Sequence, residues 1–389
     1  MTTTTTNSAI AARFNDISPV PDNEVPETIE KLINNSYFRR TAEPFVKPLP
    51  WEQFTAVMSQ CRTKDDFQRD IIYPVMKQLI ARTTEEMSGA GWENIPEGKG
   101  YLFISNHRDI VLDAAFLNIL MFEKKRPTTE IAIGDNLLIY PWIEELVRLN
   151  KSFIVKRGVS VRQMLEVSKH LSEYIHDTVH RRAQPAWIAQ REGRAKDSND
   201  KTQVSLLKML TLHNSSDPEK ALQELHIVPL SISYELDPCD YLKAKEFQLK
   251  RDNPGYKKTE ADDIENMYTG IMGFKGHVTF RFSSCIDQAI REIPAATGRN
   301  ELLEQVASII DREIYRNYTF FPFNWVAYDL MTGTDQFSSQ YTDGDLSKFN
   351  AYLEKQIGKI DIPNRDDVFL RVKMIEMYGN TVKNHLEAH

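Results

Sequence analysis

The sequence predicts an α/β fold, in which a central, mainly parallel sheet is flanked by helices, with helical regions at the N- and C-terminal ends. Three observations lead to this prediction. Short apolar runs alternate with longer amphipathic segments in the middle of the chain, which is typical of βαβ units. The segments on either side have helical periodicity. Of 389 residues, 41% are hydrophobic and 26% charged, a globular rather than a disordered balance.

The alternation begins at about residue 101. Runs rich in branched and aromatic residues predict the strands, and amphipathic stretches between them predict the helices. The predicted strands are Tyr101–Ser105, Ile131–Gly134, Phe153–Lys156, Ala186–Gln190, Ile227–Tyr234 and His277–Phe282, and the predicted helices are Ile110–Phe122, Pro141–Leu149, Val161–His180 and Gln203–His213. Because Pro229 cannot donate a ladder hydrogen bond, its strand is expected at an edge or a bulge.

Changes in composition divide the chain into four regions. Residues 1–27 are polar and proline-containing and predict a flexible arm, and residues 28–95 predict a helical N-terminal region. Residues 96–290 form the predicted α/β core, and residues 291–389 a helical C-terminal region. Within the core, the charged stretch from about 242 to 266 predicts an exposed helical excursion.

Composition excludes several classes of protein. Lys and Arg number 48 against 55 Asp and Glu, a net charge of −7, which disfavours a nucleic-acid binder. Cys61, Cys239 and Cys285 are few, odd in number and far apart, which favours a reducing cytoplasm over a disulfide scaffold. The N-terminal residues have no signal-peptide pattern. The longest apolar run, Val111–Phe122, is too short to span a bilayer, so only surface association with a membrane is open.

His107 directly follows the first predicted strand of the core and precedes a helix that carries Asp113. Ligands of open α/β sheets bind at this end of the strands. A histidine there is a general base when a carboxylate fixes its tautomer, and Asp109 and Asp113 are both available. The alternative is that these side chains only cap the helix.

Two further strands end in charged residues beside a glycine. Lys156 and Arg157 follow one strand, and Glu192, Gly193 and Arg194 follow another. A guanidinium binds phosphate with two parallel hydrogen bonds, and glycine lets a ligand approach the backbone closely. Taken singly, both motifs are weak signals, and for Lys156-Arg157 alone an ordinary solvated strand end is the favoured interpretation.

In their order, these motifs resemble the four blocks of the glycerolipid acyltransferase superfamily, which includes glycerol-3-phosphate and 1-acylglycerol-3-phosphate acyltransferases. The resemblance covers roughly residues 85–290. The matching residues are Asn106-His107 with Asp113, then Arg157, then Glu192-Gly193-Arg194, then Val228-Pro229. This chain has one residue more than the family between the His and the Asp of the first block. It lacks the middle residue of the family's Glu-Gly-x-Arg.

The resemblance implies direct acyl transfer, in which His107 deprotonates an acceptor hydroxyl and Asp113 supports the imidazolium. Asp113 is preferred to Asp109 as the partner, because a histidine in the loop before the helix can reach back to it while Asp109 caps the helix. Arg157 and Arg194 are implied to hold a phosphate. The whole predicted substrate-binding set is Asn106, Arg108, Asp109, Lys156, Arg157, Glu192, Gly193 and Arg194.

The implied reaction moves a fatty acyl group from acyl-CoA or acyl carrier protein to glycerol-3-phosphate or a lysophospholipid, in phospholipid synthesis. It needs no metal and no other cofactor. The expected partners are the acyl carrier, the acceptor and the cytoplasmic face of the membrane, held peripherally, with no nucleic acid. Two alternatives stay open: an amino-acid lyso-lipid as the acceptor, and a non-catalytic lipid-binding or scaffold relative. A serine hydrolase is disfavoured, because no GxSxG motif occurs.

One further motif has the spacing of metal ligands. His176 and His180 lie four residues apart on a predicted helix, as in many zinc sites. Arg181 and Arg182 follow directly and would repel a cation, and no third ligand is evident. A solvated helix face is therefore favoured over a metal site.

Overall fold

A seven-stranded sheet forms the centre of the molecule in the computed structural model, which describes residues 13–389 apart from the side chain of Val161. The strands are β1 (Glu86–Ala90), β2 (Leu102–Ser105), β3 (Glu130–Gly134), β4 (Ser152–Val155), β5 (Ala186–Ala189), β6 (Ile227–Tyr234) and β7 (His277–Phe282). Their order is β1-β7-β6-β2-β5-β3-β4. All neighbours are parallel except β6 and β7. The predicted α/β fold with a mainly parallel sheet is confirmed.

Helices flank this sheet and make up both ends of the described chain. Up to the middle of the core they are α1 (Val25–Ile33), α2 (Ser36–Val46), α3 (Trp51–Met58), α4 (Lys64–Phe67), α5 (Tyr73–Thr83), α6 (Leu112–Glu123), α7 (Pro141–Leu149), α8 (Val161–His176) and α9 (Val204–Leu210). They continue as α10 (Pro218–Gln223), α11 (Asp240–Asp252), α12 (Glu260–Met272), α13 (Asp287–Arg291), α14 (Arg299–Arg316), α15 (Pro322–Thr332), α16 (Asp343–Ile357) and α17 (Asp367–Glu387). Single π-helical turns follow α4 and α8.

The sheet is covered on both faces, and the side chains of its central strand alternate between them. Leu102 and Ile104 of β2 belong to the core beneath α8, α9 and α14. Tyr101 and Phe103 belong to the core beneath α5 and α6. Because successive side chains of a strand point to opposite faces, the continuous apolar run predicted as a strand is buried on both sides of the sheet.

The edge strand β1 was not predicted. Its sequence, EMSGA, lacks the branched and aromatic residues that mark the other strands, and glycines at 89 and 91 suggested a loop. Parallel hydrogen bonding to β7 stabilises the extended conformation, which the residues of β1 do not favour by themselves.

Pro229 contradicts the expectation of an edge or a bulge, because its strand β6 lies between β2 and β7. The carbonyl of Pro229 accepts the N–H of Ser283. A residue's N–H and C=O point to the same side of a strand, so the missing donor of Pro229 also faces the β7 side. The last registered pair of β6 and β7 is Leu230 with Phe282, so the missing donor falls at the end of the ladder, where it costs at most the terminal bond.

Two predicted exposed segments are packed instead. In the described part of the expected flexible arm, Phe14, Ile17 and Val25 are buried, because apolar residues recur among its prolines; residues 1–12 lie outside the described part. The charged stretch from about 242 to 266 is also not an exposed excursion in its first part, which belongs to α11. There α11 buries Leu242 and Lys243 and packs on α17. Its charges tolerate burial because they are paired, as Lys243 is with Asp237.

Candidate active site

The predicted site residues follow strands that end at one edge of the sheet. Because β2, β3, β4 and β5 are mutually parallel, their carboxyl ends lie together. A cleft of about 940 Å³ opens at this edge, called here the active-site cleft. Its lining includes His107 after β2, Arg157 after β4, and Glu192, Gly193 and Arg194 after β5.

His107 is held by Asp113 in the first turn of α6. Nδ1 of His107 lies 2.8 Å from Oδ2 of Asp113, which also accepts the backbone N–H groups of Arg108 at 2.7 Å and Asp109 at 3.1 Å. Asp113 is fully buried, and the side chain of His107 is 13% exposed. A carboxylate can only accept, so Nδ1 carries the proton and Nε2 is left as the basic nitrogen of the ring.

The loop that carries His107, residues 106–111, is fixed from both sides by short polar side chains. The amide of Asn106 donates to the carbonyl of Ile232 and accepts its N–H, both at 2.8 Å, which ties the loop to β6. Oδ1 of Asp109 accepts the N–H groups of Val111 at 2.9 Å and Leu112 at 2.7 Å, and so caps the start of α6. Both side chains are buried and serve the loop rather than the cleft.

Arg108 also points into the protein. Its guanidinium donates to Oγ of Ser198 at 2.5 Å and to Oδ2 of Asp200 at 2.8 Å, and the residue is buried. The predicted substrate-binding set therefore divides. Asn106, Arg108 and Asp109 have partners inside the protein, whereas Arg157, Glu192, Gly193 and Arg194 face the cleft.

The cations after β4 have different partners. Lys156 also lines the cleft, but its ammonium group is paired with Asp16 at 2.6 Å. Arg157 lies 3.3 Å from a carboxylate oxygen of Glu192, so two of the predicted blocks meet in one ion pair. The side chain of Glu192 is 68% exposed, which leaves this pair open to exchange for a ligand.

Arg194 is the cation with unused hydrogen-bonding capacity. Its Nη2 donates to Oδ1 of Asn266 on α12 at 2.9 Å, while its Nη1 is buried and has no hydrogen-bond partner among the described residues. Gly193 beside it has φ +68°, in the left-handed region that favours glycine. A buried donor without a partner is costly, so Arg194 is prepared to bind an acceptor group of a ligand.

The sequence motifs missed the cations that other segments bring to the cleft. Lys196 lines it, together with Lys250 of α11 and Lys258 before α12. Among the described residues, seven Lys and Arg side chains but three acidic ones line the cleft, in a chain whose net charge is −7. Repeated lysines in the stretch from about 242 to 266 were the available signal, and they were taken for a solvated surface.

Much of the remaining cleft wall is apolar. It is formed by one face of each of α6, α7, α8 and α9 together with the strand ends. The apolar lining of these helices comprises Val111, Ala114, Ala115, Ile143, Val147, Met164, Val167, Leu171, Leu206 and Met209. A base, a cationic region and an apolar wall thus share one cleft.

Residues 89–232 match the family model described as Acyltransferase. Over these residues the chain is similar to the acyltransferase family. The matched segment runs from the end of β1 into β6 and includes His107, Asp113, Arg157 and Arg194. The resemblance drawn from the four blocks is confirmed, and the chain carries an acyltransferase domain with His107, Arg157 and Arg194 at its cleft.

Other comparisons add little to the acyltransferase assignment. No curated protein matches the chain in sequence. Among solved structures, the chain is similar to the 1-acyl-sn-glycerophosphate (LPA) acyltransferase PlsC from Thermotoga maritima, with 12% identity and a TM-score of 0.37. The match covers 76% of this chain and 96% of that one, and a likeness at this level carries no argument about function.

A helix that crosses a bilayer needs about 20 mostly apolar residues. Across residues 13–389, no helix combines the length and the apolar character that crossing a bilayer requires.

Proposed function

We propose that this acyltransferase moves a fatty acyl group from a thioester, acyl-CoA or acyl carrier protein, to a hydroxyl of glycerol-3-phosphate or of a lysophospholipid such as 1-acylglycerol-3-phosphate. One observation carries the proposal. The His107–Asp113 pair opens onto a cleft that also holds Arg157 and Arg194 and an apolar wall. A phosphate-bearing acceptor with an acyl chain needs all three features.

The reaction proceeds without a covalent enzyme intermediate. Nε2 of His107 takes the proton of the acceptor hydroxyl, and the oxygen attacks the thioester carbonyl. As the tetrahedral intermediate collapses, the C–S bond breaks and the thiolate takes the proton back from the imidazolium. Asp113 stabilises the imidazolium through Nδ1 and keeps the ring in the productive tautomer.

The remaining residues position the substrates. Arg157 and Arg194 hold the acceptor phosphate, with Glu192 orienting Arg157, its partner at 3.3 Å. Asn106 and Asp109 act through the loop, because they fix its backbone and so the place of His107. Holding both substrates in line supplies several kcal/mol of the rate enhancement.

The acylated product is a lipid, as is a lysophospholipid acceptor, so the proposal includes contact between the cleft and a membrane surface. Ile264, Tyr268 and Met272 recur every four residues on α12, and each is exposed, Tyr268 by 62%. Met267 of the same helix lines the cleft. The proposed approach is peripheral, from the cytoplasm, with this apolar stripe against the bilayer.

The test combines purified protein with two donors and three acceptors. Acyl-CoA and acyl carrier protein are each offered with glycerol-3-phosphate, with 1-acylglycerol-3-phosphate and with an amino-acid lyso-lipid, and products are identified by mass spectrometry. We expect transfer to a phosphate-bearing acceptor and at least about a hundredfold loss in His107→Ala, since a general base contributes ~10²–10⁴-fold.

Two results would decide against the proposal. Transfer by His107→Ala at more than a tenth of the wild-type rate removes His107 as the base. Lipid binding without transfer from either donor supports the non-catalytic scaffold instead.

A further inference from the structure

A second group of reactive side chains lies outside the active-site cleft. It forms where the C-terminal end of α8 meets the loop after α9 and the end of α10. His176, His213 and Glu224 come together there, with one ligand atom of each within 4.8 Å of the others. His180, the i+4 neighbour that the sequence suggested as a partner, is exposed and outside this group.

The protonation of His176 is fixed by its surroundings. Its Nε2 lies 3.0 Å from the carbonyl oxygen of Leu210, which can only accept, so Nε2 carries the proton. The residue is buried, with 3% of its surface exposed. Nδ1 is therefore a buried lone pair, and His176 does not lie on a solvated face as expected.

That lone pair faces other acceptors. Nδ1 of His176 has no hydrogen-bond partner among the described residues, and Oε2 of Glu224 lies 3.7 Å from it. The ring of His213 stacks on that of His176, with centroids 4.3 Å apart, so the exposed His213 ring must turn about its side-chain bonds to share an ion with His176. An unpaired buried acceptor beside a carboxylate is unfavourable, and a cation between them would satisfy both.

We propose that Nδ1 of His176, a ring nitrogen of His213 and the carboxylate of Glu224 bind a zinc ion, with water as a fourth ligand. Two imidazoles and one carboxylate are a zinc donor set, whereas calcium and magnesium prefer oxygen alone. Histidines that bind zinc usually donate their other ring N–H to a carbonyl or carboxylate oxygen, as Nε2 of His176 does to Leu210, and this bond orients the ring.

The backbone that carries His213 is held against α8 without the ion. Oγ of Ser172 donates to the carbonyl of Leu210 and accepts the N–H of His213, both at 2.9 Å. Ser172 lies one turn before His176, so it fixes the loop after α9 against the helix that carries the buried ligand. The entropy of bringing His213 to His176 is therefore lost on folding rather than on metal binding.

The zinc ion has a structural role in this position. It ties the C-terminal end of α8 to the loop after α9, and both helices form part of the apolar cleft wall, through Leu171 and Met209. The proposal does not depend on the chemistry at His107, so the two can fail independently.

Two other groups of possible metal ligands occur among the described residues, but in both the histidine Nδ1 already has a carboxylate partner. Nδ1 of His226 lies 2.6 Å from a carboxylate oxygen of Asp287, beside Cys285. Nδ1 of His277 lies 2.6 Å from a carboxylate oxygen of Glu235. Neither histidine offers a free Nδ1 lone pair, so both groups serve as controls.

The experiment titrates zinc chloride into the untagged full-length protein after removal of metals with a chelator. Calorimetry should give one tightly bound zinc per chain, and zinc should raise the melting temperature. His213→Ala and Glu224→Gln should each weaken binding at least tenfold, since even outer-shell changes cost ~10–100-fold. His213 is exposed, so its truncation leaves no cavity.

Matched controls are His180→Ala on the same helix and Cys285→Ala in the neighbouring group, and both should bind zinc like the wild type. Melting curves without zinc confirm that each variant is folded. The proposal is overturned if the wild type binds no stoichiometric zinc, if His213→Ala and Glu224→Gln both bind as the wild type does, or if Cys285→Ala loses the ion.

Discussion

Replacing Asp113 with asparagine separates its role in catalysis from its role in holding the loop. Oδ2 of Asp113 accepts three hydrogen bonds, from the ring of His107 and from the backbone N–H groups of Arg108 and Asp109. An asparagine oxygen in the same place still accepts both backbone bonds, so the loop keeps its shape. What is lost is the negative charge beside the imidazolium, together with the preference for the tautomer that leaves Nε2 basic.

The size of the effect follows from these contacts. A charge-assisted hydrogen bond contributes ~1.5–3 kcal/mol, which at ~1.36 kcal/mol per factor of ten already lowers the rate about 10- to 100-fold. If the amide holds His107 in the wrong tautomer, the loss approaches ~10⁴-fold, as in catalytic triads. We expect Asp113→Asn to lower kcat by about 10²- to 10⁴-fold, measured as thiol release from the acyl donor at saturating acceptor.

Asp109→Asn is the matched control. Its side chain caps α6, and an amide oxygen accepts the same N–H groups of Val111 and Leu112. Burial and the nearby Asp113 raise the pKa of Asp109, so a neutral side chain replaces a charge that its surroundings disfavour. Activity should stay within about threefold of the wild type. If Asp109→Asn abolishes turnover while Asp113→Asn keeps more than a tenth of it, with both variants folded, the assignment is wrong.

Three further outcomes are expected. Arg194→Lys should raise the KM for the acceptor about 10- to 100-fold and that for the donor far less, because a point charge cannot replace the guanidinium; equal effects in two-substrate initial-rate data would contradict a headgroup site. Burial raises the pKa of Asp240 to about 6 from 3.8, so the stability that this group contributes is present below pH 3.8 and is lost as the pH rises through 6. Asp240→Asn should reduce the dependence of the free energy of unfolding on pH, measured by urea unfolding. An unchanged pH dependence would show that Asp240 is not its source. Tyr268→Glu should weaken flotation with lipid vesicles while Val368→Glu, at a similarly exposed apolar position, should not; equal binding by both would remove the stripe on α12 as the membrane face.

The sequence predicted the strands that are buried on both faces of the sheet. It failed for the strand β1, whose conformation depends on hydrogen bonding to a neighbouring strand. Phe153–Val155 and Ile227–Tyr234 carry branched and aromatic side chains that a buried strand requires, and both were found. Glu86–Ala90 carries almost none, and its conformation depends on β7, which lies far away in sequence. Local pattern cannot report an interaction of that kind.

The candidate site divides in the same way. The pairing of His107 with Asp113 is local, so the residues themselves suggested it. The contact of Arg194 with Asn266 and the approach of Lys250 and Lys258 join segments far apart in sequence, and no motif marks them. The side chains that shape the cationic region thus depend on how α11 and α12 pack back on the core.

His107 keeps its contact with Asp113 although this chain has one residue more than the family between them. Six positions on one helix would turn by 600°, so the two side chains cannot both belong to a regular helix and meet. In this chain α6 begins only at Leu112, and Asp109 caps its first N–H groups. The insertion is therefore taken up in the loop, while Asp113 stays in the first helical turn. There one carboxylate oxygen holds the ring of His107 and, through the N–H groups of Arg108 and Asp109, the loop that presents it.

Because the ring and the loop backbone bind the same oxygen, the extra residue in the loop does not displace His107 from Asp113. This geometry favours a working acyltransferase over a scaffold that has kept only the fold.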